Sequence, residues 1–151
     1  MTDRAAIVFS GRCIGIRHER DAALGIEVTR ARFRVERAIK GRPGSTIEIK
    51  LLGGESRLAG VPTFRIGEEV VLFLYGTSDL GFTSPVGLGQ GKFSVVTDKQ
   101  GRKLAFNEFG NANLEPRFKS AVPGDGGGVD PVRLLDLVGQ HVSRKKTDAR
   151  P

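Results

Sequence analysis

Alternation of apolar and polar residues is the main pattern along the first two thirds of the chain. It is clearest in residues 26–39, where Ala31, Phe33 and Val35 share one parity and arginines occupy the other. A period of two is typical of a half-buried β-strand. Residues 69–75 are almost entirely apolar, which predicts a strand covered on both faces at the centre of the core. The same criteria predict further strands at residues 5–16, 46–52, 82–86, 92–97 and 102–106.

Two features predict that these strands form a strongly curved sheet. Gly11 and Gly15 lie inside the first strand, where glycines often mark bulges or bends. In the second strand the apolar parity changes near Thr29, which indicates a bulge there. Since a strongly curved sheet can close on itself, we expect a mainly β protein built on a barrel of five or six strands.

The last part of the chain has a different pattern. Glycines dominate residues 122–128, as in a flexible linker. Asp130 is a suitable helix cap, Pro131 suits the first helical position, and apolar residues then recur at helical spacing. We therefore predict four parts: a β-barrel domain at residues 1–120, a linker at 121–129, a C-terminal helix at 130–143 and a basic disordered tail at 144–151.

Composition is that of a folded domain. The chain has 151 residues, of which 38% are hydrophobic and 27% charged, enough to bury one core. No window approaches the roughly 18 consecutive apolar residues of a membrane-spanning helix. Strand-like sequence follows closely on Met1 where an export leader would stand. The sequence leaves two compartments open: the protein is either cytoplasmic or exported with its leader removed.

Residue types that build catalytic and metal sites are scarce. Cys13 is the single cysteine, which excludes an internal disulfide, and its apolar surroundings predict a buried, inert thiol. His18 and His141 are too few to complete a four-ligand zinc site with that cysteine. Residues 87–91 are rich in glycine but lack the helix that follows a dinucleotide-binding loop, so we predict a flexible bend. The common nucleophile, phosphate-loop and metalloprotease motifs are absent, and we expect no enzyme activity and no cofactor.

Charge supplies one candidate ligand-binding surface. The formal net charge is +7, and residues 1–52 hold 11 basic against 6 acidic side chains. Arg30, Arg32 and Arg34 share one face of the second strand. Such a row could follow a phosphate backbone, although Phe33 has the opposite parity and no aromatic side chain is interleaved to stack on bases. A solvated outer face that discourages edge pairing, single-stranded nucleic acid, and an acidic protein or lipid surface stay open as interpretations.

The order of these elements resembles that of a known superfamily. The pieces that carry the resemblance are the first strand through Cys13, the long strand ending in Lys40 and Gly41, the short strand at 47–51, and the segment 64–74 with Gly67 and Glu68. They resemble the netrin-module and tissue-inhibitor-of-metalloproteinases superfamily, in the cysteine-poor form of bacterial proteins. The resemblance implies an OB-fold barrel and a domain without catalytic activity.

Inhibitors of that superfamily insert an amino-terminal cysteine into the zinc site of the protease. This chain begins Met1, Thr2, Asp3, so no inhibitory residue is carried over. The resulting expectation is a non-enzymatic binding or interaction module with a protein as partner. The alternative is a protein that binds single-stranded nucleic acid through Arg30, Arg32 and Arg34.

Overall fold

Antiparallel strands joined in one sheet make up most of the structure. The computed structural model describes residues 1–124 and 126–150, and within them the sheet has six strands in the order β3-β2-β1-β4-β5-β6. The strands are β1 (Ile7–Asp21), β2 (Ile26–Lys40), β3 (Thr46–Leu52), β4 (Glu69–Leu74), β5 (Lys92–Thr97) and β6 (Lys103–Phe106). The helix α1 (Pro131–Asp148) follows, and short 3-10 turns occur at Leu88–Gln90 and Pro116–Ala121. The prediction of a mainly β protein with a C-terminal helix is confirmed.

Two predicted strands differ from the observed ones. The first continues to Asp21, because its pairing with β2 extends to the partners Asp21 and Ile26, and only residues 22–25 remain as the turn. Residues 82–86 form no regular strand, and a single bridge joins Pro85 to Leu74. Proline has no backbone N–H and cannot continue a ladder of hydrogen bonds. The segment is nevertheless bonded on two sides, since Tyr75 N donates to Ser84 O at 3.0 Å and Thr83 N donates to Lys50 O at 3.0 Å.

The sheet is open where the sequence predicts a closed barrel. Among the described residues β3 and β6 are the two edges, and no ladder joins them. The sheet is still strongly curved, because Ile49 and Leu51 of β3 pack in one cluster with Val70 and Leu72 of β4, although β2 and β1 lie between those strands. The bond from Thr83 to Lys50 ties the free edge of β3 to the segment after β4.

Bulges account for part of this curvature. The register between β1 and β2 shifts next to Gly11 and again next to Gly15, as predicted for these glycines. The predicted bulge near Thr29 is wrong, since β2 pairs without interruption there with both neighbours. Val28 is fully buried although its parity is opposite to that of Ala31. The change in apolar parity therefore reflects burial on both faces at this end of β2.

Each face of the sheet has its own apolar cluster. On one face Val71 and Phe73 of β4 pack with Leu134 and Val138 of α1. The opposite face carries the second cluster, in which the alternate β4 residues meet Phe33 and the loop residue Phe64. Because side chains of a strand alternate between faces, β4 is covered on both sides, as its continuous apolar sequence predicts.

The C-terminal helix is longer than predicted. It begins at Pro131, where the side chain of Asp130 accepts a hydrogen bond from Arg133 N at 2.9 Å, and it ends at Asp148. Residues 144–148 of the predicted tail are therefore helical. Lys145 contacts Asp3 at 3.0 Å, and basic residues in the last turn favour the helix dipole. No helix in the described ranges combines the length and apolarity needed to cross a membrane.

The predicted linker is tied down at several points. Asp130 N donates to Ala121 O at 2.8 Å, Val129 forms a bridge with Ala105, and Asn111 Nδ2 donates to Gly127 O at 2.8 Å. Such bonds hold a loop against the body even where its sequence is rich in glycine. Position 125 in the linker and position 151 in the tail lie outside the described residues.

Candidate functional site

The predicted arginine row lies on the outer face of β2, away from the cluster around Phe33. Arg30 is half-buried, hydrogen-bonds to Glu19 and contacts Glu48 at 3.2 Å. The hydrogen bond to Glu19 raises the pKa of Arg30 and lowers the pKa of Glu19, because each charge stabilises the other. The charge of Arg30 is therefore neutralised by carboxylates of the neighbouring strands.

The other two arginines of the row are more exposed. Arg34 approaches Glu36 at 3.9 Å, and Arg12 approaches the same carboxylate at 4.0 Å. Arg32 has no carboxylate within 4.0 Å in the part of the chain that the structure describes. The structure thus brings the three arginines to one face, as predicted, and interleaves them with glutamates. This ladder of ion pairs leaves Arg32 and Arg34 as the residues available to an anionic ligand.

A different surface, which the sequence did not predict, is apolar and concave. A groove of about 670 Å³ opens between the end of β3 and the segment after β4. Leu80 and Leu52, exposed by 59% and 49%, line it together with Leu88 and Tyr75. We call this surface the apolar groove; it is also lined by Leu24, Ile26, Leu51, Val61, Pro62, Gly76, Ser78, Phe82, Thr83 and Ser84.

A buried lysine holds one wall of the apolar groove. Lys50 of β3 lies at the centre of a contact set in which its ammonium group donates to Leu80 O at 3.0 Å, pairs with Asp21 at 2.5 Å and lies 4.5 Å from the ring centroid of Phe82. The hydrogen bond from Lys50 lowers the pKa of Asp21. Lys50 of β3 therefore fixes the loop after β4 through the Leu80 carbonyl and the Phe82 ring, while its ion pair with Asp21 connects β3 to the end of β1.

A second buried lysine anchors another segment of the groove lining in the same way. Lys92 of β5 donates to Thr63 O, pairs with Glu68 at 3.1 Å and lies 4.6 Å from the ring centroid of Phe64. Glu68 also accepts a hydrogen bond from Ser94 Oγ at 2.7 Å. These contacts anchor the loop between β3 and β4, which carries Val61 and Pro62 into the groove.

Cys13 lies near this lysine and is buried, as predicted. Its side chain is 1% exposed, and desolvation raises the pKa of the thiol. A buried thiol whose ionised form is disfavoured is a poor nucleophile. Cys13 therefore contributes to the packing of the apolar cluster around Phe33.

A polar hollow adjoins the apolar groove and shares Ile26 and Leu52 with it. It has a volume of about 580 Å³ and is also lined by His18, Glu27, Gly53, Gly54, Glu55, Ser56 and Leu58. His18 Nδ1 lies 2.9 Å from Thr29 Oγ1, and Thr29 Oγ1 donates to Gly53 O at 2.7 Å. We call this surface the polar hollow. His18, expected to be a surface residue, thus lies at the border of a concave site.

The groove could not be found from the sequence because its lining comes from separate segments. Leu52, Leu80 and Leu88 stand next to turns, where single apolar residues are common on any protein surface.

Within residues 1–124 and 126–150, no group of three or more His, Cys, Asp or Glu side chains is placed to hold a metal ion. Comparisons with family models, curated proteins and solved structures gave no match.

Proposed function

We propose that the protein is a non-enzymatic binding module and that it holds a segment of a protein partner in the apolar groove. The observation that carries the proposal is the concentration of exposed Leu52, Leu80 and Leu88 around one hollow of about 670 Å³. Clustered apolar surface is costly in water, and in soluble proteins such patches mark sites of interaction. The lysine anchors support this proposal because they fix two of the segments that line the groove, and a preorganised site loses less entropy on binding.

We propose further that the sheet is a variant of the OB fold, related to the netrin-module superfamily. OB domains are partly open barrels of five strands. In support, β1 pairs with both β2 and β4, and Thr83 connects the segment after β4 to the edge of β3. The pieces that carry the resemblance are also neighbours here, since Gly67 N donates to Cys13 O at 2.7 Å.

Selection of peptides from a random displayed library tests the groove. The wild-type protein should select peptides with apolar residues, and Leu80→Glu should weaken their binding by about tenfold or more, because a carboxylate would be desolvated in the groove. Val132→Glu is the matched control, since Val132 is 61% exposed on α1, outside the groove. Far-ultraviolet circular dichroism checks that both variants fold. Failure to select any peptide, or equal binding by Leu80→Glu, would reject the proposal.

Single-stranded nucleic acid is the second candidate ligand, and the exposed Arg32 and Arg34 favour it. Binding through phosphates requires a steep fall in affinity as salt rises. Fluorescence anisotropy of a labelled oligothymidine should then show this dependence, and the double variant Arg32→Gln, Arg34→Gln should reduce its slope. A flat or absent response would rule out this ligand.

A further inference from the structure

The charges that line the polar hollow contrast with those of the whole chain. The protein has a formal net charge of +7, whereas Glu27 and Glu55 line the hollow. Arg57 lines the adjoining cavity, which shares His18 and Glu55 with the hollow. The nearest ion pair of Glu27 is with Arg20, at 3.9 Å between exposed groups. An exposed ion pair at this distance is weak, so the carboxylate of Glu27 can still interact with a ligand. Among the described residues, the lining of the hollow itself therefore carries two carboxylates and no lysine or arginine side chain.

The hydrogen bonds of His18 determine which of its ring nitrogens carries the proton. The carbonyl of Gly53 can only accept, so the hydroxyl hydrogen of Thr29 points to it across 2.7 Å. The oxygen of Thr29 must then accept the hydrogen of His18 Nδ1, which lies 2.9 Å away. In the neutral imidazole the other nitrogen, Nε2, keeps its lone pair. His18, which lines the hollow, thus carries an acceptor nitrogen in addition to the oxygens of the two carboxylates.

The shared residues Ile26 and Leu52 connect this acceptor-rich hollow with the apolar groove. The ligand that matches both surfaces best combines an apolar group, an aliphatic stem that can cross these side chains, and a cationic head with several N–H groups. Lysine and arginine side chains have such a stem and head.

We infer that the occupant is a peptide segment of a protein partner in which an apolar side chain enters the apolar groove and a neighbouring Lys or Arg side chain enters the polar hollow. This inference rests on the proposed function and adds the chemistry of the partner. A segment with an acidic residue in place of this Lys or Arg should bind more weakly, because Glu27 and Glu55 would repel it.

Isothermal titration calorimetry with three blocked peptides tests the inference. Each has a phenylalanine in a glycine-serine frame, followed after one glycine by lysine, norleucine or glutamate. Norleucine keeps the aliphatic stem of lysine and lacks its charge. We expect the lysine peptide to bind about tenfold more tightly than the norleucine peptide, as a charge-assisted hydrogen bond implies, and the glutamate peptide to bind most weakly.

Variants assign the preference to the hollow. The double variant Glu27→Gln, Glu55→Gln should remove the advantage of the lysine peptide. Glu36→Gln is the matched control, because this carboxylate lies on the outer face of β2 beside Arg12 and Arg34. Nitrogen NMR of the imidazole should show the hydrogen on Nδ1 of His18. Thr29→Val should move it towards Nε2, and Thr29→Ser should preserve it.

The outcomes separate this inference from the proposed function. Equal affinities for the lysine and norleucine peptides would overturn the inference and leave the groove as a binding site. The absence of binding by all three would also overturn it, while the library selection judges the groove independently. If Glu36→Gln reduced the advantage of the lysine peptide equally, only the overall charge of the protein would matter, and the inference would fail. A hydrogen on Nε2 of wild-type His18 would contradict its role as an acceptor in the hollow.

Discussion

Replacement of Lys92 by methionine tests whether the buried lysines hold the structure together. Lys92 is 7% exposed and forms its ion pair with Glu68 at 3.1 Å. Methionine fills a similar volume without the charge, so the substitution removes the ammonium group and leaves the carboxylate without its counter-charge. Removing one member of a buried pair typically costs about 3 to 5 kcal/mol.

The contacts of Glu68 place the expected cost at the lower end of that range. Its side chain is 17% exposed and still accepts hydrogen bonds from Ser94 Oγ at 2.7 Å and Arg65 N at 3.1 Å. We expect Lys92→Met to lower the free energy of unfolding by about 3 kcal/mol. For a domain of this size the same loss corresponds to a fall in the melting temperature of about 9 °C.

Urea unfolding followed by circular dichroism measures this loss. Lys103→Met is the matched control, because Lys103 pairs with Glu69 at 2.9 Å but its side chain is 53% exposed, so that we expect a cost below about 1 kcal/mol. The double variant Lys92→Met, Glu68→Gln should be more stable than the sum of the single losses predicts, since no charge is left unpaired. Additive losses, or equal costs for Lys92→Met and Lys103→Met, would refute the anchoring role of Lys92.

Three further predictions concern other parts of the fold. A Cβ on Gly11 would lie 2.3 Å from a backbone oxygen, whereas one on Gly15 would approach nothing closer than 3.8 Å. Urea unfolding should therefore show that Gly11→Ala lowers the free energy of unfolding by about 2 kcal/mol and that Gly15→Ala leaves it almost unchanged. The hydrogen bond from His141, with a smaller effect of Lys145, lowers the pKa of Asp3 from 3.8 to about 2. Because the folded carboxyl has the lower pKa, its stabilisation is complete above the ordinary value and is lost as pH falls towards 2, so Asp3→Asn should flatten the pH dependence of stability in that interval. Buried Cys13 should react with a thiol reagent only at the rate of unfolding, and rapid labelling of the native protein would contradict its burial.

The sequence predicted local structure well where one physical rule dominates. In β3 the alternation of Ile47, Ile49 and Leu51 locates the strand because the inward-facing residues must be apolar. At α1 the cap and the first proline mark the beginning of the helix for reasons that concern a few neighbouring residues. Its end was not predictable, since the last turns are held partly by a contact between Lys145 and the distant Asp3.

The candidate site shows the opposite case. The arginine row was visible because period two places Arg30, Arg32 and Arg34 on one face, but the carboxylates that neutralise Arg30 come from β1 and β3. The sequence by itself determined most of the strands, most of their inward faces and the start of the helix, because these depend on contacts along or across one element. Only the tertiary structure decided that the sheet stays open, that two lysines are buried and that a groove forms, because each depends on side chains far apart in the chain meeting in space.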